Sequence, residues 1–442
     1  MKKELLDSSN WLGGLQWLMY IFVNTVVVPI TIGAAYGLSQ GEVVSIMQFS
    51  FMLGGIACVL QAVFGHKRAI MSGPSGLWWG VILALTSISA AQGVPLEVVG
   101  GSLTVGIIIS GILTVLVGVT GIGYYLEKLF NPSVMGVFMF LFGVALCINF
   151  FEGMLGISGA TGSETIDLSV AGLSFLVAIF VLILTIKAPN KVAKYSMLIG
   201  IVVGWPLFAL LFDPESQLGG ATGAIELHLF PLGAPAWNIG IIITAVITGI
   251  LNLSKQYGSI KGSNFLYKGQ EPTRKDYRNS FVITGTFGVF SGILGLVPFS
   301  PFVSSIGFLQ QTGVVKRMPF IFGGVMFFVM GAIPSVGYFF TLLPLSIGSA
   351  VLFISYVQLF GSSWEWFKSV NINTLNLYRV GIPLFVGLIL MTLPAVAFES
   401  LPGYVRPLLS NGLLMGTILS LILENMFKWD KYRVKHEVKG VM

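Results

Sequence analysis

Two stretches, Met71-Ser-Gly-Pro-Ser-Gly76 and Val297-Pro-Phe-Ser-Pro-Phe-Val-Ser-Ser-Ile-Gly307, interrupt apolar segments with prolines, glycines and serines. Because proline lacks a backbone N–H and glycine weakens a helix, neither stretch is expected to be a regular helix. The bilayer cannot hydrogen-bond free backbone groups, so irregular peptide at this depth is tolerated only against protein or a cavity. We therefore expect both stretches to line a cavity. The alternative is that they only kink two packed helices.

The composition around these stretches is that of a membrane protein. Hydrophobic residues make up 55% of the 442 residues and charged residues only 10%, and the mean hydropathy is +0.88. Soluble domains carry about a quarter charged residues, which keep their surface solvated. The two cysteines, Cys58 and Cys147, lie in apolar runs, and no cluster of His, Cys or carboxylates occurs. The sequence therefore predicts neither a disulfide framework nor a metal site, and no cofactor.

The apolar residues fall into fourteen segments near the length that crosses a bilayer, roughly 20 residues. Their approximate positions are 13–36, 42–64, 69–90, 97–122, 132–151, 168–187, 195–212, 237–265, 279–297, 298–315, 318–342, 344–361, 378–397 and 408–427. The predicted fold is an all-α polytopic membrane protein with fourteen transmembrane segments. The predicted divisions are a cytoplasmic N-terminal segment (1–12), a first repeat of seven spans (13–212), an extracellular loop (213–236), a second repeat of seven spans (237–427) and a cytoplasmic tail (428–442).

The distribution of loop charges orients these spans. With both termini cytoplasmic, the basic loop residues fall on the cytoplasmic side and only Arg406 falls outside. The outer loops carry acids instead, among them Glu164, Asp213 and Glu226. This asymmetry follows the positive-inside rule, so a multi-pass protein of the cell membrane is predicted. The net charge of +6 then needs no nucleic-acid partner.

The two halves of the chain resemble each other. Pro132 and Pro344 each open an apolar segment with the same Pro-x-x-x-Gly spacing, and the interrupted stretches around Pro74 and Pro298 share a similar offset. Because seven spans separate each pair, the halves are predicted to be inverted repeats. Inverted repeats with interrupted segments at matching positions indicate the binding site of a secondary transporter. A transporter is therefore predicted, and not an enzyme.

A rival of another class is an intramembrane serine protease. Gly73-Pro-Ser-Gly76 matches the Gly-x-Ser-Gly pattern of rhomboid proteases, with Ser75 as the nucleophile. Such a serine needs a base within reach. The histidines, His66, His228 and His436, are all predicted to lie in loops, at span ends or in the tail. The protease hypothesis is therefore poorly supported.

Lys255 is the exception among the charged residues, because it directly follows the apolar run 239–251. On the pattern alone, the helix ends near Leu253 and Lys255 is an ordinary cytoplasmic charge.

The motifs resemble those of the nucleobase–ascorbate transporter family, which includes uracil, xanthine and uric acid permeases. The resemblance covers the chain from Leu15 to about Phe398. The three stretches that carry it are Gly65-His-Lys-Arg-Ala-Ile-Met-Ser-Gly-Pro-Ser-Gly76, Phe130-Asn-Pro-Ser-Val-Met-Gly136, and Ser291-Gly-Ile-Leu-Gly-Leu-Val-Pro298 followed by Ser304-Ser-Ile-Gly-Phe-Leu-Gln-Gln-Thr-Gly313. Gly307, Thr312 and Gly313 match the family signature of the tenth span.

The chain also departs from the family pattern. Ser304 and Ser305 replace the first two polar residues of the signature, and Gln16-Trp17 stands where the family has glutamine and histidine. In the eighth span, Lys255-Gln-Tyr-Gly258 aligns with the family's Glu-Ser-x-Gly. The resemblance therefore places Lys255 inside the membrane, in the position of a carboxylate, which reverses the interpretation from the pattern alone.

The resemblance implies a fold and a function. The fold has fourteen spans in two inverted repeats of seven, a core domain and a gate domain, and short strands in segments 3 and 10 that lead into half-helices. The implied function is secondary active transport of a nucleobase, of purine or uracil/xanthine type, across the cell membrane by alternating access. A proton or a sodium ion is the candidate coupling ion, and a homodimer is left open. The alternative is an anion carrier of the same fold, urate-like or inorganic, because a buried lysine favours a negative ligand.

The predicted substrate-binding residues come from the half-helices and the eighth span. They are Ser72, Val303, Ser304 and Ser305 on the first side and Lys255, Gln256 and Ser259 on the other.

Overall fold

The structure is a computed structural model that describes residues 8–91, 93–122, 131–157, 165–193, 195–212, 227–267, 271–370, 376–398, 400–402, 405–427 and 429. Three predicted parts lie wholly or largely outside the described residues: much of the N-terminal segment, residues 213–226 of the predicted extracellular loop, and nearly all of the tail.

The described chain is mostly helical. The helices of its first half are α1 (Ser8–Val23), α2 (Val27–Tyr36), α3 (Gln40–Val63), α4 (Gly76–Ala91), α5 (Leu96–Thr120), α6 (Pro132–Met154), α7 (Leu168–Lys187), α8 (Asn190–Ala193) and α9 (Ser196–Phe212). Those of its second half are α10 (Ile239–Gly262), α11 (Arg274–Ile293), α12 (Ser304–Thr312), α13 (Arg317–Gly331), α14 (Pro334–Thr341), α15 (Leu345–Lys368), α16 (Asn376–Thr392), α17 (Arg406–Leu409) and α18 (Gly412–Met426). Two short strands, β1 (Ser72–Pro74) and β2 (Phe299–Pro301), precede α4 and α12. The strands predicted in segments 3 and 10 are thus confirmed.

Many of these helices are suited to a bilayer. Seven helical stretches in the described chain are long and apolar enough to cross it, and an eighth results if the bent pair α13 and α14 is one span. Shorter apolar helices lie within α4, α9, α16 and α18. These elements match the predicted segments within a few residues at most boundaries. The total of fourteen spans and the inverted repeats stay predictions.

Apolar side chains face outward and many polar ones face inward. Leu210 and Ile186 are 81% and 71% exposed, whereas Gln61 and Ser259 are fully buried. Exposing large apolar side chains costs free energy in water but not in lipid. This distribution is typical of a membrane protein whose polar groups serve an internal site.

Local sequence sets several helix ends. Asn131 accepts a hydrogen bond from the Val134 N–H and is followed by Pro132, which suits the first helical position because it has no N–H to satisfy. Asn238 caps α10 in the same way. From there α10 runs without a break to Gly262, so the expectation of a helix end near Leu253 was wrong and the alignment-based placement of Lys255 inside a helix is confirmed.

Glycines allow α5 and α11 to pack closely. A Cβ on Gly111 would lie 2.7 Å from the Val289 nitrogen, and one on Gly285 would lie 2.6 Å from the Gly111 carbonyl oxygen. Both distances are too short for any side chain. Small residues at such contacts let helix backbones approach in lipid, where dispersion contacts replace the hydrophobic effect.

A buried ion pair joins α6, α16 and α18. The Arg379 guanidinium donates to the Glu424 carboxylate, and the side-chain amide of Asn131 donates to the same carboxylate. The Glu424 side chain is only 3% exposed. Since buried charges are costly unless paired, this pair holds the three helices in register.

Candidate functional site

β1 and β2 pair antiparallel inside the bundle. Ser72 lies opposite Pro301 and Pro74 lies opposite Phe299, and all six strand residues are buried. The Ser75 N–H donates to the Pro298 carbonyl at 2.8 Å, which extends the pairing towards α4. The irregular peptide thus lies against protein, as the absence of water in a bilayer requires.

Each strand leads directly into a helix, so two helix N-termini lie at the strand pair. α4 begins at Gly76 and α12 begins at Ser304. The first turns of a helix have free N–H groups and a partial positive charge. Because the strands are antiparallel, the two helices leave in opposite directions and their positive ends both point back towards the strands. The arrangement suits a ligand that carries oxygen acceptors.

Helix α10 places one face against the strand pair. The Ser75 hydroxyl donates to the Asn252 side-chain oxygen at 2.7 Å, and the Ser259 hydroxyl donates to the Pro301 carbonyl at 3.0 Å. Asn252 and Ser259 are two turns apart on the same line of the helix. Lys255 and Gln256 lie between them in sequence and flank this line on opposite sides.

Lys255 is only 8% exposed, and its ammonium contacts aromatic rings. Its Nζ lies 4.4 Å from the ring centroid of Phe142 and 5.4 Å from that of Phe138. Both phenylalanines belong to α6. No carboxylate among the described residues pairs with this ammonium. The charge is therefore held by cation–π contacts alone in this part of the chain, which leaves it attractive to an anion.

Gln256 lies on the other flank, in a polar network with α3 and α11. Its side-chain amide donates to the Ser280 hydroxyl at 2.8 Å, and Ser280 donates to the Gln61 side-chain oxygen at 2.8 Å. The Gln256 side-chain oxygen Oε1 is buried and has no hydrogen-bond partner among the described residues. The structure thus places the amide in a network with α3 and α11, and the predicted contact with substrate stays a prediction.

The serines of α12 point to two different neighbours. Ser304 shares a hydrogen bond of 2.7 Å with the Tyr20 hydroxyl of α1, and the Tyr20 ring packs 4.5 Å from that of Phe308. Ser305 accepts a hydrogen bond from the Met71 N–H at 3.1 Å. Ser305 therefore joins the two interrupted stretches, whereas Ser304 connects α12 to the first span.

The remaining predicted residues lie beside these. Ser72 is buried, and its backbone N–H and carbonyl both bond to the Cys58 sulfur, at 3.4 and 3.3 Å. Val303 is 39% exposed and directly precedes α12. The structure thus brings Ser72, Lys255, Ser259 and Ser305 to the strand pair. The sequence analysis did not identify Tyr20, Asn252, Phe138 or Phe142 as site residues.

The peptide before β1 is anchored at the C-terminal end of α10. Arg68 donates to the Ile260 carbonyl at 2.7 Å and to the Ser263 hydroxyl at 2.6 Å, and its own N–H donates to the His66 Nδ1. Burial, together with the nearby Arg68 charge, lowers the pKa of His66 to about 3. His66 therefore stays neutral at physiological pH and serves as a hydrogen-bond acceptor.

Ser75 bonds to Asn252 and not to a histidine, so nothing at Ser75 favours the protease hypothesis.

Comparison with known proteins identifies the family. A family model described as "Permease family" matches residues 8–396. The "Putative purine permease YwdJ" of Bacillus subtilis (strain 168) is 29% identical, over 95% of this chain and 96% of that protein. The "Xanthine permease" of the same organism is 26% identical, over 94% and 92%. The "Uric acid transporter UacT" of Escherichia coli (strain K12) is 25% identical, over 94% and 85%.

Solved structures show the same fold at low sequence identity. The transmembrane domain of a cyanobacterium bicarbonate transporter, BicA, matches with a TM-score of 0.62 at 16% identity, over 95% of this chain and 98% of that one. This likeness concerns the fold alone. With the family match over most of its length, the chain belongs to the permease family, the nucleobase–ascorbate transporters that its motifs resemble.

Proposed function

We propose that the protein is a secondary active transporter of purine-type nucleobases that works by alternating access. The single observation that carries the proposal is the convergence of two helix N-termini and a buried lysine on one strand pair inside an apolar bundle. The named purine, xanthine and uric acid permeases among its relatives supply the substrate class.

The chemistry of a nucleobase matches this arrangement. A flat oxopurine presents carbonyl oxygens and ring N–H groups in one plane, and its faces can stack on aromatic rings. The first-turn N–H groups of α4 are proposed to donate to such oxygens, and α12 contributes mainly its positive N-terminal end, because the Ser305 and Ile306 N–H groups already bond to the Phe302 and Val303 carbonyls. The residues proposed to contact the bound base around its plane are Ser72, Val303, Ser304 and Ser305 from the strand side and Lys255, Gln256 and Ser259 from α10.

The proposed architecture has fourteen spans in two inverted repeats, residues 13–212 and 237–427, with cytoplasmic termini and an extracellular loop at 213–236. Two features support it: each strand leads into a helix at matching positions in the two halves, and the strands pair antiparallel. In this scheme α10, α4 and α12 belong to a core that moves against a gate containing α6 and α15. Coupling to a proton or a sodium ion and assembly as a homodimer belong to the proposal as options.

Transport in proteoliposomes tests the function. Labelled xanthine, urate, uracil, bicarbonate and sulfate are offered with and without imposed proton and sodium gradients. Uptake of a purine base is the expected result. Uptake of only the inorganic anions would favour the alternative carrier, and uptake of none would refute the proposal.

Serine replacements test the location of the site. Ser72→Ala, Ser304→Ala and Ser305→Ala each remove a polar group from the strand pair, at a cost of about 1–3 kcal/mol in substrate affinity per lost partner. Ser174→Ala is the matched control for Ser72→Ala and Ser305→Ala, because Ser174 is as buried as these two serines but lies on α7. If the three variants transport every base like this control, the site lies elsewhere.

A further inference from the structure

Two phenylalanines of α6 face Lys255 as a unit. Phe138 and Phe142 are four residues apart and therefore lie on one face of the helix. Their rings are stacked, with centroids 5.8 Å apart and planes inclined by only 4°. Nζ of Lys255 lies over both rings. An aromatic surface on α6 thus meets the one buried lysine of α10.

The Phe142 ring also touches the start of α4. A Cβ on Gly76 would lie only 2.4 Å from the Phe142 Cζ, so the ring rests directly on this glycine. Gly76 is the first residue of α4, where the helix has free N–H groups. One ring therefore contacts both positive features of the site, the lysine and the helix N-terminus. A ligand that reaches both features has to lie against this ring or move it aside.

The surroundings favour a ligand that is both flat and negatively charged. The ammonium has ring faces around it and no carboxylate among the described residues, so an anion gains more there than a neutral base does. A spherical or tetrahedral inorganic anion satisfies the charge but has no face to stack on a ring. The anion of an oxopurine satisfies both, because its charge is spread over oxygens in the plane of an aromatic ring.

We propose that Phe138 and Phe142 are specificity-determining residues that, together with Lys255, select the anion of a flat oxopurine such as urate. The inference rests on the proposed function, because it requires that the protein transports purines at all. Lys255 supplies the charge for the anion, and the two rings supply the stacking surface that excludes inorganic anions.

Urate binding to the purified protein tests the role of the rings. Phe142→Leu and Phe138→Leu are each expected to weaken urate binding by about tenfold, the effect of one lost contact of about 1.4 kcal/mol. Phe140→Leu is the matched control: it is the same change on the same helix, but its ring packs on Phe360 of α15, 5.9 Å away. This control is expected to bind urate like the parent protein.

The charge is tested separately with Lys255→Gln. Hypoxanthine, an oxopurine that is uncharged at neutral pH, serves as the comparison ligand. The parent is expected to prefer urate, and Lys255→Gln is expected to weaken urate binding at least about tenfold more than it weakens hypoxanthine binding. A cooperative thermal unfolding transition shows that the variant is folded, and equal weakening of both ligands would contradict the role of the charge.

The outcomes separate this inference from the proposed function. If the parent transports no purine, the proposed function itself fails. If the parent transports purines but the two ring variants match Phe140→Leu, the phenylalanines do not determine specificity and the inference fails alone. Sulfate binding as tight as urate binding in the parent would overturn it as well.

Discussion

Replacement of Lys255 by methionine is expected to stabilise the protein while it impairs transport. The methionine side chain keeps most of the length and volume of the lysine stem but carries no charge. Lys255 is 8% exposed, and its ammonium contacts only the rings of Phe138 and Phe142 among the described residues. A residue that is kept at a cost in stability is typical of a functional site.

The expected change in the free energy of unfolding for Lys255→Met follows from two opposing contributions. Burying an ammonium costs several kcal/mol in lost hydration. A cation–π contact in a desolvated site returns about 2 kcal/mol, and the more distant Phe138 ring returns less than the Phe142 ring. The balance leaves the buried charge destabilising, so Lys255→Met should gain about 1–3 kcal/mol. In a protein of this size, such a gain raises Tm by roughly 1–3 °C.

Thermal unfolding of the purified protein in detergent measures this shift. Lys67→Met is the matched control, because Lys67 is 46% exposed and forms an ion pair with Asp276 at 2.9 Å. Such partly exposed pairs contribute about 0–1 kcal/mol, so this control should leave Tm unchanged or slightly lower. If Lys255→Met lowers Tm by more than Lys67→Met does, the ammonium is satisfied by the fold and the reasoning is refuted. Urate uptake by the same preparation should fall at least about tenfold.

Three further predictions concern other parts of the molecule. Glu424→Gln leaves the partly buried Arg379 without its counter-charge, so the free energy of unfolding should fall by up to about 3 kcal/mol. Adding Arg379→Met should restore part of this loss, and thermal unfolding that finds the single and double variants equally unstable would contradict the prediction. The pKa of His66 is about 3 in the folded protein against an ordinary value of 6.5, so protonation favours the unfolded state and stability is lost as the pH falls below 6.5. Between pH 7 and 5 this loss should be about 2 kcal/mol, and a His66→Asn variant measured in parallel should lack it. Cysteines introduced in the 214–226 loop should react with an impermeant thiol reagent in intact cells, and those at 268–277 only after permeabilisation; the reverse pattern would contradict the proposed orientation.

The elements of the fold follow from local signals in the sequence, and most of them are confirmed. Apolar runs predicted the helices because a bilayer requires about 20 apolar residues for each crossing. Pro132 after Asn131 marked the start of α6, and Pro74 and Pro298 marked the interrupted stretches beside β1 and β2. Each of these signals is local, which is why a single sequence reveals it.

The helix that carries Lys255 shows where local signals fail. The polar residues after Leu253 resemble a helix end, yet α10 continues to Gly262. Its polar residues are satisfied by other parts of the chain: Ser259 donates to the Pro301 carbonyl and Gln256 donates to Ser280. A hydropathy pattern cannot anticipate such partners, because they are distant in sequence. The family resemblance anticipated the continuation because it aligned this stretch with a known span.

The aromatic partners of Lys255 are also distant in sequence, and the structure is what identifies them. The predicted site came from the interrupted stretches and from α10, so it included only residues near those motifs. Phe138 and Phe142 lie more than a hundred residues before Lys255, on a helix that the sequence marked only by Pro132 and Gly136. Two aromatic residues four positions apart are common in apolar helices, so their spacing alone indicates nothing about a ligand. Only the structure shows that Phe142 rests on Gly76 and that both rings lie beside the Lys255 ammonium. The resemblance assigns Lys255 to the position of a carboxylate, and this assignment has to be considered together with the aromatic partners of Lys255, because the rings of Phe138 and Phe142 stabilise a buried cation.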